Sequence, residues 1–272
     1  MKIFLTGTNG FIGRNLLEYY IDHELFEYDR SANIKDQLFK IRPDLIIHCA
    51  AEIYDYQLMR KSNIDLLYDI LEYTKDFPNT QMIFIGSSSE YGPTPKAASE
   101  TDRLNPIDLY QATKGAGTLL CQGFARQFLL DITIIRAYSV YGKYEKSHRL
   151  FPRLWRSFFL NEPMNLFHGF HDFIYIDDFI RGIDNIIKKD NKPVGDIVNL
   201  GSGIQYSNAE VFELFKKITK KVAPVTFIST MAKEFETELW CCDTTYAKEQ
   251  YGFETNFTLE DGINNYIKKM EI

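Results

Sequence analysis

Tyr110 and Lys114 stand four residues apart in the run Tyr110-Gln-Ala-Thr-Lys114. On a helix that spacing puts a phenol and an ammonium on one face, close enough to interact. A phenol has a reference pKa near 10, too high for a base at neutral pH. A neighbouring positive charge favours the phenolate, and a shift of about three units takes roughly 4 kcal/mol of differential stabilisation. A phenol tuned in this way suits proton-coupled hydride chemistry, in which a proton is exchanged with the reacting oxygen. A hydroxyl must also orient that oxygen. Ser87, Ser88 and Ser89 supply candidates directly after the strand-like run Met82–Ile85. The tyrosine–lysine spacing alone is common by chance, and an ordinary surface lysine competes with this reading.

A second group of residues suits phosphate. Gly7, Gly10 and Gly13 punctuate the run Gly7-Thr-Asn9-Gly10-Phe11-Ile12-Gly13, between a strand-like and a helix-like segment. The first glycine permits a tight turn, the second a close approach of backbone to a pyrophosphate, and the third close helix–strand packing. The free amides and dipole of a helix start stabilise anionic charge there. Residues at the end of the second strand choose between dinucleotides. Asp29 suits the ribose diol of NAD, whereas Arg30 and Ser31 suit the 2′-phosphate of NADP, so the cofactor is expected to be NAD(P) with that choice open.

These groups need a frame, and the chain alternates strand-like with helix-like segments from its start. Strands are expected at Ile3–Thr6, Leu25–Tyr28, Asp44–His48, Met82–Ile85 and Ile132–Ile135. Helices are expected at Phe11–Ile21, Ile34–Lys40, Gln57–Lys75 and Pro106–Phe128. Alternation of this kind produces right-handed crossovers and a parallel sheet covered on both faces, which binds ligands outside the carboxyl ends of its strands. The expected fold is therefore α/β, a Rossmann-type doubly wound parallel sheet over residues 1–142, with a smaller C-terminal substrate lobe over 143–272. In that lobe helices are expected at Arg149–Leu160, Ile174–Lys189 and Ser207–Lys220, and two short ones within Asp243–Ile272. Ile197–Leu200 is expected to return to the main sheet as a strand before Gly201-Ser-Gly203. The 272 residues carry a net charge of −6, 25% charged and 45% hydrophobic residues. That balance is globular and disfavours general binding to nucleic acid or an anionic membrane. No apolar run approaches the roughly 20 residues of a membrane span, which points to the cytoplasm. Cys49, Cys121, Cys241 and Cys242 show no metal-ligand spacing, so no metal is expected.

With these segments in order, the chain resembles an extended short-chain dehydrogenase/reductase of the NAD-dependent epimerase/dehydratase type over nearly its whole length. The resemblance is carried by Thr6–Gly13, His48-Cys-Ala50-Ala51, Asn63, Ile85–Gly92, Tyr110 with Lys114, and Arg136–Gly142. Asp172–Asp178, Val198–Gly203 and Asp243 with Tyr251-Gly-Phe253 extend it. It implies an NAD(P)-dependent enzyme acting on a nucleotide-diphosphate sugar by 4-keto reduction or 4-epimerisation. Ser87 would hydrogen-bond the substrate oxygen, Tyr110 would act as acid and base, and Lys114 would lower its pKa and hold the ribose. Ala50, Ala51 and Asn63 would lie beside the cofactor, and a homodimer would form through helices 57–76 and 106–128.

Several positions depart from the family pattern. Dehydratase members carry acids at the two positions after the catalytic Ser or Thr, and here these are Ser88 and Ser89. A one-residue shift would bring Glu90 into an acid position, so a 4,6-dehydratase stays as an alternative, as does a non-catalytic NAD(P)-binding sensor. His171 replaces the arginine that usually holds the substrate diphosphate, which leaves Arg149, Arg153 or Arg156, on one helix face, to do so. An exposed basic face is the competing reading. Ser139 replaces a substrate-contacting asparagine, and His48, His168 and His171 are expected to be packing or surface residues. The chain is also short for the family, with fourteen residues between Asp29 and Asp44 and a trimmed segment before His171.

Overall fold

Short runs rich in Ile, Leu, Val and Phe form the strands, and each is followed by a segment with helical spacing. The computed structural model describes residues 1–231 and 239–270. The chain runs through β1 (Lys2–Thr6), α1 (Phe11–Tyr19), β2 (Glu24–Glu27), α2 (Ile34–Ile41) and β3 (Leu45–His48). It continues through α3 (Tyr56–Met59), a π-helical turn (Arg60–Asp65), α4 (Leu66–Asp76), β4 (Gln81–Ile85), α5 (Leu109–Phe128) and β5 (Ile132–Ala137). The second half holds β6 (Ser139–Tyr141), α6 (Leu150–Leu160), β7 (Met164–His168), β8 (Phe170–Tyr175) and α7 (Ile176–Lys188). After these come β9 (Asp196–Leu200), β10 (Gln205–Ser207), α8 (Asn208–Thr219), β11 (Val225–Met231), α9 (Thr245–Tyr251) and α10 (Leu259–Met270).

The main sheet has the order β2-β1-β3-β4-β5-β9, and every pair in it is parallel. Side chains alternate between its faces. Phe4, Ile46, Phe84 and Ile134 pack with Leu38, Leu67, Ile70 and Cys121 on one side. Ile3, Leu5, Ile47, Ile83 and Ile85 pack with Leu16, Phe179 and Ile183 on the other, in a core that continues into the C-terminal lobe. The doubly wound sheet is thus the expected one. Between β2 and β3 the chain holds α2 and no strand, so β2 is the sheet edge on the side where the sequence is short. No helix among the described residues is long and apolar enough to cross a membrane.

Some boundaries differ from expectation. The helix expected over 57–75 is interrupted by the π-helical turn, inside which Asn63 is buried. The helix expected from Pro106 begins at Leu109, because the Asp108 carboxylate caps it by accepting from the Gln111 amide. Ile174 and Tyr175 close a strand before α7 starts. Strands β6, β7, β8, β10 and β11 were not anticipated. They are three to seven residues long and lie in an aromatic-rich stretch with no clear alternation. Most of those aromatics are core: Phe151 stacks on Tyr141 at 4.0 Å between ring centroids, and Phe158 and Phe173 are buried.

Asp172 ties the lobe together. Its buried carboxylate accepts from the Ser202 amide and hydroxyl, the Gly203 amide and the Cys242 amide, at 2.6–3.0 Å. Removing it takes the acceptor from the buried Cys242 amide and the half-buried Ser202 and Gly203 amides, and each buried orphan costs about 1–3 kcal/mol. Asp172→Ala is expected to lower unfolding stability by at least about 3 kcal/mol, read as a shift of the urea midpoint. A surface-like change of under half a kcal/mol would show that the carboxylate is not the anchor.

Candidate functional site

In the main sheet the chain leaves β1 for β2 on one side and returns to β3 on the other. That reversal opens a crevice at the carboxyl ends of β1 and β3, where such sheets bind ligands. The glycine turn sits in it. Gly7 has φ +75°, and a Cβ there would lie 2.7 Å from the Ala50 amide nitrogen, while one on Gly13 would overlap the Gly7 carbonyl. Gly10 is the N-cap of α1, no side chain caps that helix, and no acid occupies its first turn. The amides of the first turn therefore face the crevice without an anionic side chain competing for them. The turn is held from below by Thr6, whose hydroxyl accepts from the Ala50 amide at 3.1 Å and lies 2.7 Å from His48 Nδ1. This cradle, free of Cβ atoms and backed by a helix start, fits a dinucleotide pyrophosphate.

Asn9 is exposed at the turn, Phe11, Ile12 and Ala51 are half-buried, and the backbone of the buried Ala50 lies against Gly7. Asp29 follows β2 on the surface. Its Oδ1 accepts from both the amide and the hydroxyl of Ser31 at 2.9 and 2.7 Å, and these bonds hold its pKa below the usual carboxylate value. The Ser31 hydroxyl is thereby turned toward Asp29. Arg30 is exposed beside them. Asn63 is buried in the π-helical turn after Ala51. Its amide group bonds the backbone of Glu52 in both directions and donates to Thr113 Oγ1 at 2.9 Å. It positions the segment after Ala51 against α5, with no amide hydrogen left for a ligand.

Ser87, Tyr110 and Lys114 converge at the ends of β4 and α5. Ser87 caps a 3₁₀ turn, Ser88–Tyr91, with Glu90 as its capping-box partner. The Ser87 hydroxyl lies 2.7 Å from Ser89 Oγ and acts on the Tyr110 phenol, lowering its pKa. Burial outweighs this contact and pushes Tyr110 up to about 12; Arg149 pulls it down, while Glu90 and Asp108 push it up. Lys114 is buried with Nζ donating to the Ile85 carbonyl at 2.6 Å. Burial draws its pKa down to about 8, against the opposing charge of Glu90. In the protein alone, then, Ser87 and Arg149 rather than Lys114 do most to favour the phenolate.

The substrate side is sorted by contacts that the sequence did not reveal. Arg149 precedes α6 as its N-cap instead of lying on its face. It pairs with the buried Glu145 at 3.3 Å, is half exposed, and acts on both Tyr110 and His171. Arg153 donates to the Asn165 carbonyl at 2.6 Å. Arg156 is held by Glu162 and the Ser147 carbonyl at 2.7 Å each, so the three arginines do not form one anion-binding face. Ser139 Oγ lies 3.5 Å from His171 Nδ1. Ser88 is buried and accepts from the Trp240 indole at 3.2 Å. Trp240 carried no motif and was missed. Glu90 was legible, since Ser87-x-x-Glu90 is a capping-box spacing. The same residue is fully buried against Arg136 and cannot serve as an acid facing substrate.

Known proteins were then compared. The model of the NAD dependent epimerase/dehydratase family matches residues 3–201. The chain belongs to that family. An uncharacterized UDP-glucose epimerase of Bacillus subtilis, YtcB, is 27% identical, with 98% of this chain and 97% of that one covered. The Staphylococcus aureus protein CapI is 24% identical over 98% of this chain and 97% of its own. Among solved structures of the family, the UDP-glucuronic acid 4-epimerase of Bacillus cereus, in complex with UDP-glucuronic acid and NAD, superposes with a TM-score of 0.89. It is 25% identical and covers 99% of this chain and 100% of its own.

Buried titrating groups set the acid response of this family member. Burial first, then Lys114, pulls His48 down to about 3, and burial first, then Arg149, pulls His171 down to about 4. Burial also raises Glu100 and Glu145 to about 7 each. Below about pH 6.5 the unfolded chain binds protons that the folded imidazoles refuse, so these lose stability on acidification. The folded carboxyls bind protons that the unfolded ones release, so those gain it. The two pairs oppose each other between about pH 5 and 6.5. Glu145→Gln is expected to make stability fall with acid across that window, and His171→Gln to make it rise, in denaturant titrations at each pH. Parallel curves for both variants and wild type would remove these groups from the balance.

Proposed function

We propose that this chain is an NAD-dependent 4-epimerase of a uridine-diphosphate sugar. The observation that carries the proposal is the meeting of Ser87, Tyr110 and Lys114 beside the glycine cradle, where the two positions after Ser87 are hydroxyls. Eliminating water from the sugar needs an acid there, and Glu90 is committed to Arg136, Thr118 and the Ser87 amide. This weighs against the dehydratase alternative. The convergence of all three reacting groups weighs against a non-catalytic sensor. NAD is favoured over NADP because the anionic Asp29 would repel a 2′-phosphate and draws the Ser31 hydroxyl to itself. A retained NAD suits epimerisation better than reduction by an external reductant.

Gly7, Asn9, Gly10, Phe11, Ile12 and Gly13 would hold the pyrophosphate, Asp29 the adenosine ribose, and Ala50 and Ala51 the wall beside it. Bound NAD would accept and return hydride at the nicotinamide while its positive ring favours the phenolate. Tyr110 takes the sugar hydroxyl proton and later gives it back, with Ser87 fixing the reacting oxygen. Lys114 holds the ribose and adds positive charge to the phenol's surroundings. Arg149, whose charge acts on Tyr110 and His171, would be the group for the substrate diphosphate, with Ser139 and His171 on the sugar side. Four free thiols suit the reducing cytoplasm.

Tyr110→Phe is expected to cut turnover of UDP-glucose or UDP-glucuronic acid by about 10²–10⁴-fold with NAD still bound. Wild-type protein should carry NAD and show no net change in nicotinamide absorbance during turnover. Net oxidation of added NADH or NADPH would favour reduction instead.

The homodimer also belongs to this proposal. Tyr68 on α4 packs edge-on against Phe124 on α5, and Phe124 against Phe128, while Leu58, Tyr68, Leu119 and Phe128 are exposed. Adjacent apolar side chains on two packed helices suit a second copy of the chain. Sedimentation should give a dimer for wild type and a monomer for Leu119→Glu; a wild-type monomer would overturn the expectation.

A further inference from the structure

Beneath Ser87 runs a polar network that the proposed reaction does not use directly. Glu90 is fully buried. Its Oε1 accepts from the Ser87 amide at 2.8 Å, and its Oε2 accepts from the Thr118 hydroxyl at 2.7 Å and Arg136 Nε at 3.1 Å. Arg136 Nη1 donates on to the Tyr91 phenol at 2.6 Å and the Glu100 carbonyl at 3.1 Å. Tyr91 in turn donates to Asn199 Oδ1 at 2.8 Å, on the inserted strand β9. Space is kept for the carboxylate, because a Cβ on Gly86 would lie 2.6 Å from Glu90 Oε1.

Buried ion pairs seldom stabilise a fold more than apolar side chains of similar volume would. Stability therefore gives a weak reason for this one, and its position gives a stronger reason. The network ends on Ser87, whose amide Glu90 holds at 2.8 Å, and Glu90 is the opposing charge that holds the Lys114 pKa up against burial. Arg136 offsets part of the Glu90 charge at 3.1 Å, and the other titratable groups around Lys114 add none: His48 on β3 is held neutral, and the thiols of Cys49 and of Cys121 on α5 are pushed up by burial. Tyr110, on the same helix, is a neutral phenol in the protein alone. Resting on the reading of Ser87, Tyr110 and Lys114 as the reacting groups, we propose that Glu90 is the positioning residue of the site. Through the Ser87 amide it holds the serine hydroxyl against Tyr110, and its buried negative charge keeps Lys114 an ammonium.

Glu90→Gln keeps an acceptor for the Ser87 amide and removes the charge. Without that charge both Lys114 and Tyr110 lose their protons more easily. The phenolate absorbance of Tyr110, read on the NAD-bound protein as the difference between Glu90→Gln with and without Tyr110→Phe, should titrate at lower pH by about one unit. With UDP-glucose and UDP-glucuronic acid as probes, both limbs of the kcat profile should move to lower pH. The kcat should fall about tenfold, with KM and NAD affinity within about twofold. A double variant, Glu90→Leu with Arg136→Met, replaces the pair by apolar groups. It should fold with near wild-type thermal stability yet keep the kcat loss, and it decides the matter if the single variant does not fold. An unmoved phenol titration, or wild-type kcat in the folded double variant, would overturn the proposal. Full activity in Tyr110→Phe would instead overturn the reading of the reacting groups.

Discussion

The closeness of the β1–α1 turn to the end of β3 is the constraint on which the site depends. Gly7 leaves β1 in a left-handed conformation with no room for a Cβ against Ala50, and Gly13 packs against the Gly7 carbonyl. Only because these two backbones touch does the start of α1 open into the crevice at the switch in strand order. The Thr6 hydroxyl locks the contact from within the core, bonded to the Ala50 amide and beside His48. A neutral His48 is part of that lock, which is why burial rather than catalysis accounts for its lowered pKa. Parallel strands buried on both faces make the frame stiff enough to hold β4 and α5 in register with the crevice.

Low polarity around the reacting groups then works against every charge the chemistry needs. Burial raises Tyr110, lowers Lys114 and lowers His171. The Ser87 hydroxyl and Arg149 favour the phenolate, Glu90 favours the ammonium, and the balance leaves the site protonated on the phenol until more positive charge arrives. This arrangement keeps the Tyr110 phenol protonated in the protein alone. It also explains the fixed position of Lys114, whose donation to the Ile85 carbonyl replaces a hydrogen bond that water would otherwise make.

Shortening of the chain falls where ligands would be held. Between Asp29 and Asp44 one eight-residue helix, α2, stands in place of a strand and a helix, so β2 is the sheet edge and Asp29 lies exposed beside it. Before His171 the chain turns tightly from β7 into β8 at Gly169. There a neutral imidazole lies 3.5 Å from Ser139 Oγ, and the nearby positive charge is carried by Arg149 on another segment, paired with Glu145.

The sequence alone determined whatever rests on local geometry. Glycine spacing after a strand, the i,i+4 phenol and amine, and the alternation of apolar strands with helices each report a backbone requirement that neighbours in the chain satisfy. They were enough for the doubly wound sheet and for the glycine turn between β1 and α1. Tertiary structure decided which polar groups were already spent. The Asn63 amide hydrogens go to Glu52 and Thr113, while Arg153 and Arg156 looked like one face with Arg149 and are held by Asn165, Glu162 and Ser147. Trp240 reaches Ser88 from 152 residues away, and the short strands of the lobe form only when β8 is flanked by β6 and β10. A side chain's partners across such distances are set by packing. Spacing along the chain records what the backbone can do, and burial and hydrogen bonding between distant segments select which side chains remain free to meet a ligand.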